Sequence, residues 1–195
     1  MRKCAALLAA CLMLAGCAGA ESPWGIAPFM QVNGYTPAEE NVLRELAGEE
    51  IGTLVHVRVE EALRQDEKLC LALTAMPQSS DALVIPWVPD IAGDGSLAVM
   101  DHVDYDPGLS VAEYARQQGY ARVITLQVNM LSQDIWGLEY AAYDHGDQGE
   151  LRLILQYGCT GVPEAVKMEF TARAYSLETM LETEAAAGPV QFELQ

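Results

Sequence analysis

Basic side chains are scarce in this sequence. Its 195 residues contain 11 Lys and Arg against 28 Asp and Glu, which gives a formal net charge of −17. Nucleic acids and anionic lipid headgroups are bound through clustered basic side chains, so the charge balance argues against both as partners. An acidic surface of this kind can instead attract cations or a basic partner protein.

Catalytic and nucleotide-binding motifs are also missing. The sequence contains no Gly-x-Ser-x-Gly elbow, no glycine-rich phosphate loop and no dinucleotide fingerprint. Beyond residue 17 it has no apolar run of roughly 18 residues, the length that a membrane-spanning helix requires. Because 51% of the chain is hydrophobic, we nevertheless expect a folded domain with a substantial core.

The first 17 residues have the layout of a secretory signal. Basic Arg2 and Lys3 precede an apolar run, which ends in small residues at Leu14-Ala15-Gly16-Cys17. That tetrapeptide resembles the lipobox of bacterial lipoproteins. A second tetrapeptide, Leu8-Ala9-Ala10-Cys11, also fits the pattern, but it would leave an apolar core shorter than the roughly 7–15 residues of a signal. We therefore choose Cys17 as the anchor.

The resemblance to lipoproteins implies a lipid-anchored protein of the cell envelope. It implies cleavage before Cys17, a diacylglycerol thioether on the Cys17 sulfur and an acyl chain on the new amino group. We predict a signal peptide at 1–16, a tether at 17–35 and a single domain at 36–195. In a Gram-negative cell, Ala18 after the anchor implies the outer membrane, with the body facing the periplasm.

Only two cysteines, Cys70 and Cys159, follow the anchor. Outside the cytoplasm two remaining cysteines most simply pair. Such a bridge would close a loop of about 90 residues and contribute on the order of 4–5 kcal/mol. The alternative is two buried free thiols that never meet, because sequence alone does not establish the geometry. We expect the bridge.

Two helices are predicted, each opened by a capping box. Thr36-Pro37-Ala38-Glu39 begins the first, and apolar residues at three- and four-residue spacing continue it to Leu63. Alternation over 54–59 offers a strand as the competing interpretation of that part. Ser110-Val111-Ala112-Glu113 begins the second helix, which we expect to end at Gly119.

Strands are predicted between and after the helices. Two short apolar runs at 69–76 and 82–88 are typical of buried strands, and the prolines of the second favour a sheet edge. Four further runs alternate with period two and predict an antiparallel meander with one wet face; they cover 121–130, 135–143, 151–157 and 166–174. The predicted fold class is α+β, a two-layer sandwich in which two amphipathic helices cover one face of a mainly antiparallel sheet.

The junction of the second helix with its strand carries a further resemblance. In Gln117 to Ile124 a helix ending in glycine runs into a strand, as in the small α/β domains of periplasmic accessory lipoproteins of curli secretion or penicillin-binding-protein activation. Those families often turn their last strand pair at an Asp-x-x-Thr-Gly type of sequence, whereas residues 176–180 lack the aspartate and the glycine. The resemblance therefore implies architecture, and fold does not carry function.

The wet face of the meander is our candidate surface for a partner, which we expect to be another envelope protein. It is polar and sparsely charged on its first strand, where Thr125, Gln127 and Asn129 lie, and Lys167, Thr171 and Arg173 follow on its last strand. We nominate Gln127, Asn129, Thr171 and Arg173 as the docking residues. The leading hypothesis is a non-enzymatic, tethered interaction domain.

Two other functions stay open at this point. An acidic stretch at 90–106 provides oxygen ligands for a divalent metal in a metal-binding protein or metal-dependent hydrolase; its candidate ligands are Asp101, His102, Asp104, Asp106 and, from a predicted turn, His145. Their spacing does not match an EF-hand, and a solvated acidic loop is the favoured interpretation. The other alternative is a small-ligand carrier lined by Trp87, Trp136 and tyrosines.

Overall fold

The computed structural model describes residues 24–32, 42–44, 49–65, 67–86, 110–160 and 165–194. These residues form two helices, α1 (Ile26–Val32) and α2 (Val111–Gln117), and ten strands: β1 (Val42–Arg44), β2 (Glu49–Ile51), β3 (Val55–Gln65), β4 (Lys68–Pro77), β5 (Ala82–Pro86), β6 (Arg122–Met130), β7 (Ile135–His145), β8 (Leu151–Cys159), β9 (Ala165–Ser176) and β10 (Glu182–Glu193). Neither helix is long and apolar enough to cross a membrane.

The strands are divided between two sheets. Sheet A has the order β1-β3-β4-β8-β7, with β2 also paired to β3, and all its neighbours are antiparallel. Sheet B has the order β10-β9-β6-β5, in which only the pair β5 and β6 is parallel. The chain passes from sheet A to sheet B between β4 and β5, returns to sheet A between β6 and β7, and enters sheet B again between β8 and β9.

The main core lies between the two sheets. Leu71 and Leu73 of β4 and Leu153 of β8 point into it from sheet A, while Met168 and Phe170 of β9 point into it from sheet B. Alternate residues of each strand supply these side chains, as expected for strands with one buried face. The architecture is therefore a β-sandwich.

Each helix covers part of the outer face of one sheet. On sheet A, α1 buries Ile26 and Met30 against Cys70 and neighbouring apolar residues, so this part of the predicted tether packs on the domain, as its aromatic residues indicate. On sheet B, α2 buries Val111, Ala112 and Ala115 against a cluster that includes Tyr175. The predicted α+β sandwich, with both helices on one face of a single sheet, is thus wrong.

The predicted helix that ends at Leu63 is also wrong where the structure describes it, because residues 55–63 belong to β3. Val59 pairs with Leu73 and Glu61 pairs with Ala72, so Glu60 is an extra residue in a β-bulge. The bulge shifts the alternation, and Ala62 follows Val59 into the core at a spacing of three. The bulge therefore gave the apolar residues of this strand the three- and four-residue spacing that is typical of a helix.

The four alternating runs are confirmed as strands, but the predicted meander is wrong. β6 pairs with β9 in sheet B, whereas β7 and β8 form a hairpin in sheet A. Alternation shows that a strand has one buried face, but it does not show which sheet the strand joins. The single wet face predicted for the meander is consequently divided between two opposite surfaces.

The other sequence predictions have mixed outcomes. The capping box of the second helix is confirmed, since Ser110 Oγ accepts from the Glu113 N–H and the Glu113 carboxylate accepts from the Ser110 N–H. The capping box predicted at 36–39 lies outside the described residues. The edge position of β5 is confirmed as well.

Strand β10 was not predicted, because its Ala-Ala-Ala-Gly-Pro centre has low β propensity. Its Pro189 is tolerated because β10 is an edge strand.

Candidate functional site

Several residues singled out in the sequence lie outside the described residues. These are the lipid anchor, most of the proposed metal ligands and one tryptophan, namely Cys17, Asp101, His102, Asp104, Asp106 and Trp87. Lipidation of Cys17 and the metal site therefore stay predictions. His145, the two cysteines and the four docking residues can be located.

The predicted bridge between Cys70 and Cys159 is not formed, because both are free thiols. Cys70 pairs with Gln156 in the ladder of β4 and β8, so Cys159 lies three positions further along β8 and faces the opposite side of sheet A. Cys159 lies in the core between the sheets, whereas Cys70 lies beneath α1.

The surroundings of Cys70 are those of a buried structural thiol. Its Sγ is 4.0 Å from Met30 Sδ and 3.8 Å from Gln156 Oε1. Burial raises the pKa of Cys70 to about 11, so the thiol stays protonated near neutral pH. This environment favours a packing role over a reactive one.

His145 lies at the end of β7 and contacts the neighbouring sheet. Its Nε2 is 2.8 Å from the Val84 carbonyl oxygen, which can only accept, so Nε2 donates a hydrogen bond. The Val84 N–H donates to the Gly149 carbonyl oxygen at 2.9 Å. His145 and the turn between β7 and β8 thereby satisfy both backbone groups of Val84. We call this arrangement the sealed edge of β5.

Glycines and a buried carboxylate hold that turn in place. A Cβ on Gly149, whose φ is 77°, would lie 2.5 Å from the Ala82 carbonyl oxygen. The Glu150 carboxylate accepts from the Gln148 N–H at 2.9 Å and from Arg152 Nη2 at 3.0 Å. The turn expected around His145 is confirmed. The residues described by the structure contain no group of three or more His, Cys, Asp or Glu side chains placed to hold a metal.

The four nominated docking residues lie together on the outer face of sheet B. Gln127 of β6 pairs with Thr171 of β9, and Asn129 and Arg173 are the next residues on the same face of their strands. Gln127 Nε2 donates to Asn129 Oδ1 at 3.0 Å, and Arg173 Nη1 lies 3.0 Å from Glu182 Oε2. We call these four residues the polar patch.

The polar patch is bordered by small side chains. On β10, exposed Ala187 and Ala185 pair with Thr171 and Arg173. Thr125, which the sequence placed on the same wet face, is instead buried beside the helix-covered end of the strand. The accessible part therefore begins at Gln127.

Comparison with protein-family models, with curated proteins and with solved structures finds no match for this chain.

A second accessible surface, the outer edge of β7, was not found from the sequence. Trp136 and Leu138 lie there with exposed fractions of 52% and 53%. The pairing with β8 shifts on both sides of Leu138, and Gly137 has a φ of 60°. Glycine inside an alternating run was the signal for this irregularity.

The sandwich also contains a small crevice between β3 and β10. Its walls include Val55, Phe170 and Gly188, and it encloses about 20 Å³. That volume suits about one water molecule, whereas organic ligands occupy pockets of roughly 300–1,000 Å³. The crevice does not suit a small-ligand carrier, and Trp136 lies on the surface instead of lining it.

Proposed function

We propose that this chain is a lipid-anchored lipoprotein of the cell envelope that acts as a non-enzymatic interaction domain. Its polar patch is the proposed contact with another envelope protein. The observation that carries the proposal is the alignment of Gln127, Asn129, Thr171 and Arg173 on two adjacent strands, outside the part of sheet B that α2 covers.

The chemistry of the polar patch suits recognition of a protein surface. The amides of Gln127 and Asn129 are oriented by their mutual hydrogen bond, and Arg173 is held by Glu182. Side chains that are already ordered lose less conformational freedom on binding. Protein interfaces contain about one hydrogen bond per 100–200 Å² and are enriched in arginine, which these donors and acceptors supply.

The proposed anchor supports the same role. Each buried methylene of a lipid chain contributes roughly 0.8 kcal/mol to membrane binding, so the three chains implied by the lipobox would hold the protein firmly. Confinement to one membrane raises the effective concentration of a co-localised partner, which allows a modest surface to be sufficient. Replacement of Cys17 by Ser should abolish labelling by a fatty-acid analogue and release the protein from the membrane fraction.

Site-specific photo-cross-linking in living cells tests the docking role. Probes at Gln127 and Thr171 report on the polar patch, and a matched probe at Arg58, exposed on sheet A, reports on an unrelated surface. We expect one envelope protein to be captured at both patch positions and not at Arg58, with capture reduced by Arg173→Glu. Equal products at all three positions, or none at either patch position, would contradict the proposal.

A further inference from the structure

In the part of the chain that the structure describes, the outer edge of β7 is an open strand edge. Among the described residues, β7 pairs with β8 alone. The Gly146 N–H donates to the Glu150 carbonyl oxygen, which makes residues 146, 144 and 142 the ones that bond across to β8. Ala141, an exposed residue between them in the alternation, therefore directs its N–H and C=O away from the sheet.

Two large apolar side chains stand at one end of this edge. Trp136 lies over Gly158 of β8, where a Cβ would come within 2.9 Å of the indole atoms Cη2 and Cζ2. The indole thus packs on the bare backbone of Gly158. Leu138 follows two residues later, and both side chains are about half exposed. Exposed aromatic and aliphatic groups of this kind are suitable anchors for a bound chain.

The charge along the edge has one sign. From residue 123 to residue 151 the sequence contains five carboxylates and no Lys or Arg. Glu150 bonds Arg152, and Glu139 has Lys68 Nζ at 3.4 Å. Asp134, Asp144 and Asp147 are exposed along or beside the strand. An added strand that approaches this edge is therefore favoured if it carries cationic side chains.

We propose that the edge of β7 binds an extended, cationic segment of a partner protein as an added β-strand, with Trp136 and Leu138 as apolar anchors. Backbone hydrogen bonds at Ala141 give affinity, and alternating side chains give specificity. A second copy of this chain is disfavoured, because pairing two such edges would oppose carboxylates in a protein of net charge −17. This surface is separate from the polar patch, so either proposal can fail alone.

Peptide binding to the full-length protein in detergent micelles tests the inference. The probe is a fluorescein-labelled ten-residue peptide that alternates Lys and Val, and its binding is followed by fluorescence anisotropy. The comparison peptides alternate Glu and Val, or keep Lys and Val with every backbone amide methylated. We expect only the first peptide to bind well, because the second has the wrong charge and the third cannot donate backbone hydrogen bonds.

Two variants locate the binding site. Ala141→Pro removes an outward N–H and should weaken binding by about tenfold, and Leu138→Ser by about fivefold. Ala185→Pro is the matched control on β10, and it should not change peptide binding. Ala185 lies four residues before Pro189 in the same register, so its N–H also faces away from β9. Circular dichroism confirms that each variant is folded, and Leu138→Ser keeps the test decisive if Ala141→Pro does not fold.

Four results would overturn the inference. Equal binding of the methylated peptide would mean charge attraction without strand addition, and equal binding of the Glu-Val peptide would remove the cationic preference. No binding of the Lys-Val peptide would leave the edge without the proposed ligand. A dimer detected by analytical ultracentrifugation and lost in Ala141→Pro would make a second copy the occupant.

Discussion

Strands β5 and β7 are the edge strands of the two sheets on the same side of the sandwich, but the hydrogen bonding of their outer edges differs. The short edge of β5 is sealed, because the turn between β7 and β8 bonds both backbone groups of Val84. The longer edge of β7 has no strand partner among the described residues and is protected by bulges and carboxylates instead. The sandwich therefore closes one edge with specific hydrogen bonds and leaves its neighbour available for a charged partner.

The largest expected effect comes from breaking the sealed edge at Gly149. Gly149→Ala combines a positive φ with a Cβ that would lie 2.5 Å from the Ala82 carbonyl oxygen, a backbone atom that cannot move aside easily. We expect the free energy of unfolding to fall by about 3 kcal/mol. Urea unfolding followed by circular dichroism measures it.

Gly137→Ala is the matched control for that substitution on the open edge. Gly137 also has a positive φ, but a Cβ there would meet nothing within 4 Å. Only the backbone cost of about 1 kcal/mol should remain. Equal losses for the two variants would show that the contact with Ala82 does not matter and would remove the distinction between the edges.

A smaller loss is expected from the histidine that completes the seal. His145→Ala removes the donor to the carbonyl of Val84, a residue with 0% exposure, and an unsatisfied buried acceptor costs about 1–2 kcal/mol. His145→Gln retains a donor and should recover part of the loss in thermal unfolding. Full stability of the alanine variant would show that the hydrogen bond contributes nothing.

Ala141→Pro should change stability by less than about 1 kcal/mol, since its N–H makes no bond to β8. The variant sharpens the comparison because it separates binding from folding: peptide affinity should fall while the midpoint of urea unfolding hardly moves. A loss as large as that of Gly149→Ala would show that the edge of β7 is already part of the folded structure.

The smallest effect is expected from Asp81, which precedes the sealed strand. A hydrogen bond from the Arg122 side chain, with a second from Ser79, holds the pKa of Asp81 below its usual value. A lowered pKa contributes stability above the unfolded value of about 3.9, and that stability is lost as the pH falls through the folded value. Because the side chain is 44% exposed, we expect less than about 1 kcal/mol.

The test for Asp81 is a comparison of urea unfolding at pH 7 and pH 3. Asp81→Asn should be less stable than the wild type at pH 7, and the difference should shrink at pH 3, as the pH falls below the unfolded value and towards the lowered folded one. Glu139→Gln is the variant for comparison on the open edge of β7, and its urea unfolding is measured at the same two pH values. There a hydrogen bond from Gln156 lowers the pKa of Glu139. A pH-independent difference for Asp81→Asn would remove the role assigned to its charge.

Local patterns in the sequence predicted local structure well. The capping box at Ser110 and the alternation in β6, β8 and β9 depend on near neighbours, and each is found in the structure. Gln127 and Thr171 lie on a solvent-exposed face as predicted, but their direct pairing was not predicted, because the meander placed β7 and β8 between their strands.

Long-range pairing and single-residue insertions could not be predicted in this way. The bulge at Glu60 changed the phase of β3 and made a strand look helical. The choice of sheet for β7 depends on tertiary contacts, and its shifted register brought Trp136 to the surface. The cysteines are kept apart by the pleat of sheet A, which spacing along the chain does not reveal.

The position of α1 affects the length of the proposed tether to the membrane. Its seven residues span about 10 Å as a docked helix and about 24 Å as extended chain, so undocking and unwinding α1 would let the body move about 14 Å further from an anchor at Cys17. Undocking would also uncover the Cys70 thiol beneath it. The rate at which Cys70 reacts with a thiol reagent in the native protein therefore measures how often α1 leaves sheet A and the tether becomes longer.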